Sequence, residues 1–292
     1  MKEIAIIGST ASGKTALSID IAKKTNSIIL SLDSLSVYKE IDIASAKPTK
    51  EERGDIIHFG IDEVYPNEEF DVIKFIDCYK KAKKYALENN NNLIIVGGTG
   101  FYLKALIEGL SNGIDSKIKL DISVKDAYEL LYSIDKEYMQ NIKPNDRYRV
   151  EKAYAIYKQS NKTPSQYFLD NPKIPIAKDL KIFEILWDRE ELRKRIALRT
   201  KLMIKDGVID EVIALEKKYS RYPNAMSSIG IIETLDYLDG KLSKDELLEK
   251  ISLNTAKLAK RQNTFNKGQF TENKTSNIIN NLNSDIIKFF TL

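Results

Sequence analysis

Eight residues near the N-terminus are spaced to hold a chain of phosphates: Gly8, Ser9, Thr10, Ala11, Ser12, Gly13, Lys14 and Thr15. They fit G-x-x-x-x-G-K-[ST] at every defined position. Gly8 and Gly13 let the backbone curl so that successive N–H groups face an anion, and a following helix adds the positive end of its dipole. Lys14 contributes a point charge, and the Thr15 hydroxyl is suited to Mg²⁺. The motif specifies a diphosphate or triphosphate ligand without saying what is done to it.

Two further residues bear on the chemistry. In nucleotide hydrolases a later buried strand ends in an Asp that serves Mg²⁺. Here the run NLIIV leads into Gly97, Gly98 and Thr99, so no carboxylate stands there. The acidic group instead ends the second apolar run, as Asp33 in SLDSLSVY. In an open parallel sheet the carboxyl ends of the strands line the ligand crevice. Asp33 and Thr99 are therefore expected to face whatever Lys14 and Thr15 hold; the competing role for Asp33 is a helix N-cap. Arg199 is a third candidate. It falls on one helical face with Leu192, Ile196 and Met203, and an arginine in an apolar stripe needs an anion or carboxylate partner, unless it snorkels to solvent.

The elements that must position these residues are legible. KEIAIIG (2–8), SIILSLD (27–33) and NLIIVGG (92–98) read as buried parallel strands, alternating with helical patterns at 14–24 and 75–88. Residues 111–121 are polar and without a period. Helical patterns then cover 124–142 and 146–160, and KIFEILW restores strand character before long helices at 189–206, 208–219 and 244–265. The expected fold is α/β: a phosphate-loop NTPase-like parallel sheet flanked by helices, with a small helical insertion domain. Residues 1–110 and 171–292 form the core and 111–170 the insertion. The asparagine-rich tail after Gly268 is expected to pack loosely.

Composition sets the outer limits. Basic residues number 46 and acidic residues 42, for a net charge of +4, so any nucleic-acid partner requires the positive charge to be gathered on one face. Cys78 is the single cysteine, which excludes an intramolecular disulfide and a cysteine metal cluster, and it reads as a small buried residue. The single histidine, His58, reads as structural. The first residues read directly as strand, without the regions of a signal peptide, and no apolar run reaches about 18 residues. A cytoplasmic protein with no membrane contact is expected, monomeric by default.

GSTASGKT (8–15), LDSLSVYKEIDIASAKPT (32–49), IIVGGTGFYLKALIEGL (94–110), NDRYR (145–149) and AKRQ (259–262) together resemble the tRNA dimethylallyltransferase family. DIASAKPT is close to the family's D-I-G-T-A-K-P, and GGTGFYLKAL matches its G-G-T-x-x-Y-x-x-A-L. The resemblance implies transfer of the five-carbon group of dimethylallyl diphosphate to the exocyclic amine of the adenosine 3′ of the tRNA anticodon. It places the leaving diphosphate on residues 8–15 and Arg199, with Mg²⁺ at Thr15. Asp33 would be the general base, with Thr99 and Lys14 beside it. The tRNA anticodon stem-loop would meet Asp33, Ser34, Leu35 and Ser36, the N-D-x-x-R residues Asn145, Asp146 and Arg149, and the K-R-Q residues Lys260, Arg261 and Gln262. Arg195 is a weaker diphosphate candidate. Tyr38 and Phe101 would be walls of the prenyl or base pocket, or else core residues.

The chain departs from the family pattern in places. Ile231 and Ile232 stand where the family has a tyrosine and a basic residue, Ala256 and Lys257 follow Thr255 where T-R-Q is common, and the insertion is short. These departures touch RNA contacts and leave the phosphate loop intact. Three other readings share the loop: an ATP-dependent small-molecule kinase, a prenyltransferase for free adenine nucleotides, and an RNA-binding protein without catalysis. The first needs a nucleotide-base pocket. NDRYR and AKRQ weigh against the second, and Lys14, Thr15 and Asp33 against the third.

Overall fold

A computed structural model describes residues 1–111, 120–271 and 274–291. The stretch 112–119, most of the aperiodic polar segment, lies outside the described residues. The chain divides into two compact units, Met1–Lys104 with Asp179–Leu292, and Ala105–Lys178.

The larger unit opens with β1 (Glu3–Gly8), α1 (Lys14–Thr25), β2 (Ser27–Leu32), α2 (Lys50–Arg53), β3 (His58–Phe59), α3 (Val72–Glu88) and β4 (Asn92–Gly97). Helix α4 (Gly100–Glu108) leads into the smaller unit, which holds α5 (Val124–Ile134), α6 (Lys136–Met139), α7 (Arg147–Ser160) and α8 (Pro164–Asp170). The larger unit resumes with β5 (Lys181–Ile185), α9 (Arg189–Lys205), α10 (Val208–Tyr219), α11 (Ile231–Leu238), α12 (Lys244–Gln269), β6 (Lys274–Asn277) and α13 (Ile279–Thr291).

The six strands form one parallel sheet in the order β3-β2-β4-β1-β5-β6. Ile4 to Ile7, Ile28 to Leu30 and Leu93 to Ile95 are almost wholly buried, as expected of central strands covered on both faces. Register decides where the strands end: Leu32 and Ile7 both pair with Gly97, and Gly8 pairs with Ile185. The carboxyl ends of β1, β2 and β4 therefore reach one edge together. Gly97 is required there, because a Cβ at that position would lie 2.2 Å from the Leu32 carbonyl oxygen.

Two expectations need correction. The tail is not loosely packed. Strand β6 pairs with β5 from Ile182↔Lys274 to Ile185↔Asn277, and its Lys274 meets the buried Glu184 at 3.0 Å. Leu282 and Ile286 of α13 are fully buried against Ile4, Leu17 and Ile21. The polar sequence of β6 hides a strand because it is an edge strand with little apolar alternation. We expect Leu282→Ala to destabilise the fold by about 2–5 kcal/mol, as for other large-to-small core changes; an unchanged denaturant midpoint would count against this packing.

The helical pattern at 124–142 is likewise two helices. Asp135 breaks it at φ −147° and ψ 66°. The Asp135 carboxylate accepts from the Tyr138 N–H at 3.3 Å and from the Ser165 N–H and hydroxyl at 2.7 Å each. These bonds offset the helical hydrogen bonds interrupted at Asp135. The smaller unit's core is Ala127, Leu131, Met139, Ile142, Val150, Ala153 and Tyr154. The unit runs from Ala105 to Lys178, and its two ends are joined by Ile176 and Ala177, which both donate to the Leu106 carbonyl.

Candidate active site

The loop between β1 and α1 is strained into its shape. Gly13 sits at φ 92° as the helix N-cap, and Ala11 at φ 62°, an uncommon region for a residue with a side chain. Several groups hold it there. The Arg195 Nε donates to the Ala11 carbonyl at 2.8 Å, and the Trp187 indole donates to the Ser12 carbonyl at 2.8 Å. Arg199 donates to the Thr10 hydroxyl at 2.8 Å. The Thr10 N–H donates to the Gln262 side-chain oxygen at 2.8 Å, and Gln262 in turn donates to the Gly98 carbonyl at 3.0 Å. A side chain at Gly98 would be 2.4 Å from that amide nitrogen, so only glycine admits the bridge.

Electrostatics show what the loop lacks. Lys14 reaches back to the Ser9 carbonyl at 2.7 Å. Burial pushes its amine down to about 8; Asp33 opposes the shift, and Arg199 adds to it. Burial also lowers Arg199 from its ordinary value, against the pull of Asp33. Among the described residues Arg199 has no ion pair, although Leu192, Ile196 and Met203 on its helix face are buried as the spacing requires. Two half-buried cations around a curled backbone loop suit an anion. Diphosphate affinity is therefore expected to fall as pH rises through about 8, because the free Lys14 amine then loses its proton. Affinity measured for diphosphate at pH 7 and pH 9 checks the sign; equal values would exclude Lys14 as the titrating contact.

Asp33 stands at the tip of β2. Its Oδ1 accepts from the Leu35 N–H at 2.8 Å and the Ser36 N–H at 3.1 Å, closing a turn; no helix starts here, so Asp33 is not the helix N-cap of the competing reading. Those bonds leave Oδ2 without a protein donor among the described residues. The Thr99 hydroxyl oxygen accepts from the Ser34 N–H at 3.2 Å and so ties the ends of β2 and β4 together.

Two cavities meet at these residues. One, of about 660 Å³, is lined by Thr10 to Thr15, Asp33, Ser36, Arg195 and Arg199 among others. The second, of about 490 Å³, is lined by Asp33, Ser34, Leu35, Tyr38, Thr99, Tyr102 and Met203 among others. Thr10, Asp33, Ser45, Gly98, Arg199 and Gln262 line both. Thr99 thus borders the second cavity rather than the one holding Lys14. Tyr38 is both wall and core, whereas Phe101 is 54% exposed and lines neither cavity. The segment carrying Ser45 is anchored by Glu211, whose carboxylate accepts from the N–H groups of Asp42, Ile43 and Ala44 at 2.7–2.9 Å.

The K-R-Q residues do not act together. Lys257, Lys260, Arg261 and Thr264 line a third, shallower cavity of about 790 Å³, whereas Thr255, Leu258 and Gln262 face the second. Adjacent residues on a helix point about 100° apart, so Gln262 turns inward while Lys260 and Arg261 turn out. Among the described residues Lys260 and Arg261 have no ion pair. In the smaller unit Asn145 is exposed, and Asp146 caps α7 and lies 3.4 Å from Arg149. Cys78 is buried with its thiol pushed up to about 12, no nucleophile. His58 bonds the Ile56 carbonyl at 2.8 Å, and burial lowers its pKa, which favours the neutral ring. Sequence reasoning missed Trp187. Its signal was a lone indole at a strand end, a group that needs an acceptor when buried.

Comparison with known proteins gives the context of this geometry. Residues 36–269 match the family model described as IPP transferase. The chain is 76% identical to the tRNA dimethylallyltransferase of Aliarcobacter butzleri over all of both chains. It is 54% identical to that of Sulfurimonas denitrificans, over 92% of this chain and 93% of that one. Among solved structures it resembles the tRNA isopentenylpyrophosphate transferase of Bacillus halodurans, with a TM-score of 0.74 and 30% identity over 99% of this chain and 95% of that one. A eukaryotic dimethylallyltransferase acting on tRNA gives a TM-score of 0.85 and 26% identity, over 96% and 74%. With a family model covering most of its length and a relative identical at three positions in four, this chain belongs to the IPP transferase family.

Proposed function

We infer that this protein transfers the dimethylallyl group of dimethylallyl diphosphate to the exocyclic amine of the adenosine 3′-adjacent to the tRNA anticodon, releasing diphosphate. The observation that carries the reading is the partition between the two cavities: a cationic cradle on one side, a smaller cavity bordered by Tyr38 and Tyr102 on the other, and the Asp33 carboxylate common to both. The diphosphate lies along residues 8–15 against Lys14 and Arg199. The adenine enters the second cavity beside Tyr38, Thr99 and Tyr102. The amine nitrogen forms a bond to the allylic carbon as the carbon–oxygen bond to diphosphate breaks, and the amine proton passes to Asp33 Oδ2. The cradle stabilises charge that grows on the leaving oxygen.

The residues present suit Mg²⁺. Thr15 borders the cradle, and the described residues contain no cluster of three His, Cys, Asp or Glu side chains that could enclose a metal. Such a site fits a hard ion that keeps its waters and takes its other oxygens from the substrate. Bound there, Mg²⁺ would offset the negative charge of the leaving diphosphate.

For RNA, Lys260 and Arg261, without an ion pair among the described residues, present charge on one face of α12, and the smaller unit presents Asn145, Asp146 and Arg149 as a second contact to the anticodon stem-loop. Ser34 is the exposed member of the turn after Asp33; Leu35 and Ser36 are more enclosed. We expect Arg261→Ala to reduce the salt slope of tRNA binding by about one, leaving diphosphate affinity unchanged. An unaltered slope would remove this phosphate contact. The described helices include none long and apolar enough to cross a membrane. The reading places the enzyme in the cytoplasm with its substrates and needs one copy of the chain. Mass analysis of tRNA nucleosides after incubation with dimethylallyl diphosphate tests it: the expected product is one prenylated adenosine per tRNA. Turnover of ATP with no modified nucleoside would overturn the assignment in favour of a kinase.

A further inference from the structure

The loop carbonyls are held by side chains that lie far away in sequence, and one of these contacts has a directional consequence. Trp187 follows β5, which pairs with β1 up to Gly8↔Ile185, so the indole is carried to the loop by the sheet itself. Its N–H donates to the Ser12 carbonyl at 2.8 Å. The Arg195 guanidinium lies 4.4 Å from the centre of the indole ring and also bonds the Ala11 carbonyl, so each clamp group braces the other.

The Ser12 carbonyl and the Gly13 N–H belong to one planar trans peptide and point in opposite directions. A donor that draws the carbonyl outward therefore turns the N–H inward. Among the described residues the Gly13 N–H has no acceptor, and Gly13 lines the cavity with Lys14 and Arg199. The neighbouring Ser12 N–H is consumed by the Ser9 carbonyl at 3.2 Å, so the inward-facing Gly13 donor is not interchangeable with it.

We propose that Trp187 is a positioning residue for the diphosphate: its indole N–H orients the Ser12–Gly13 peptide so that the Gly13 N–H meets the anion. This rests on the reading of the loop as a diphosphate site. Trp187→Phe keeps an aromatic ring near Arg195 and removes the donor, together with some of the packing against Leu192 and Ile196.

The test uses the full-length protein, Mg²⁺ with inorganic diphosphate, and an anticodon stem-loop RNA. Trp187→Phe is expected to weaken diphosphate binding about tenfold, the worth of one directed hydrogen bond, to raise KM for dimethylallyl diphosphate similarly, and to leave stem-loop affinity unchanged. Equal weakening of both ligands, or no change in diphosphate affinity, would overturn the proposal. Trp187 is the only tryptophan, so the unmodified protein supplies a second measurement if the variant fails to fold. Its fluorescence should change on diphosphate titration with the dissociation constant found by calorimetry, and constant emission at saturation would equally overturn it. Failure of the parent protein to bind diphosphate at all would instead refute the loop assignment.

Discussion

Asp33→Asn is expected to lower kcat by about 10²–10⁴-fold, the range for loss of a general base, with dimethylallyl diphosphate and tRNA still bound. Asparagine is the informative replacement because Oδ1 is already committed to the Leu35 and Ser36 N–H groups. An amide oxygen accepts the same two bonds, so the turn persists and only the free carboxylate oxygen is exchanged for an NH₂ donor. Alanine would mix loss of the base with loss of the turn bonds. The substitution has a second signature. Asp33 holds the Lys14 amine up against burial, so neutralising it lets the Lys14 pKa fall further. The alkaline loss of diphosphate affinity should then begin at lower pH than in the parent. Near-parental kcat in single-turnover measurements would sink the assignment of the base.

Arg199→Met is expected to weaken dimethylallyl diphosphate binding about 10–100-fold, consistent with one charged hydrogen bond of about 1.5–3 kcal/mol, while leaving the melting temperature equal or higher. Arg199 keeps its charge in a half-buried place with a neutral hydroxyl, Thr10, as its partner. Its helix neighbours Ile196 and Met203 are buried and apolar, so methionine suits the stripe better than a cation does. A group that costs stability in the free protein and returns it on binding is the expected mark of a ligand contact. A melting temperature several degrees lower, with diphosphate affinity intact, would make Arg199 a structural residue instead.

The division between what sequence and fold each contribute follows the range of the forces involved. The phosphate loop, the three apolar strands and the stripe around Arg199 depend on neighbours within about a turn or a strand, and periodicity displays such neighbours directly. The carboxylate at the tip of β2 was legible for the same reason, since a parallel strand aims its end at the crevice. Edge strand β6 and helix α13 were not, because polar residues at an edge and asparagines on an outer face mask two buried anchors, Leu282 and Ile286.

Sequence by itself determined which groups are available here: a loop of the phosphate-binding pattern, an acid at the end of the adjoining strand, and an arginine set in an apolar helix stripe. Only the tertiary structure decided how they are held. Trp187, Arg195 and Gln262 reach the loop from 175, 184 and 252 residues away. No local pattern reports a hydrogen bond across such separations, because its geometry exists only once the sheet has brought the two ends of the chain to one edge.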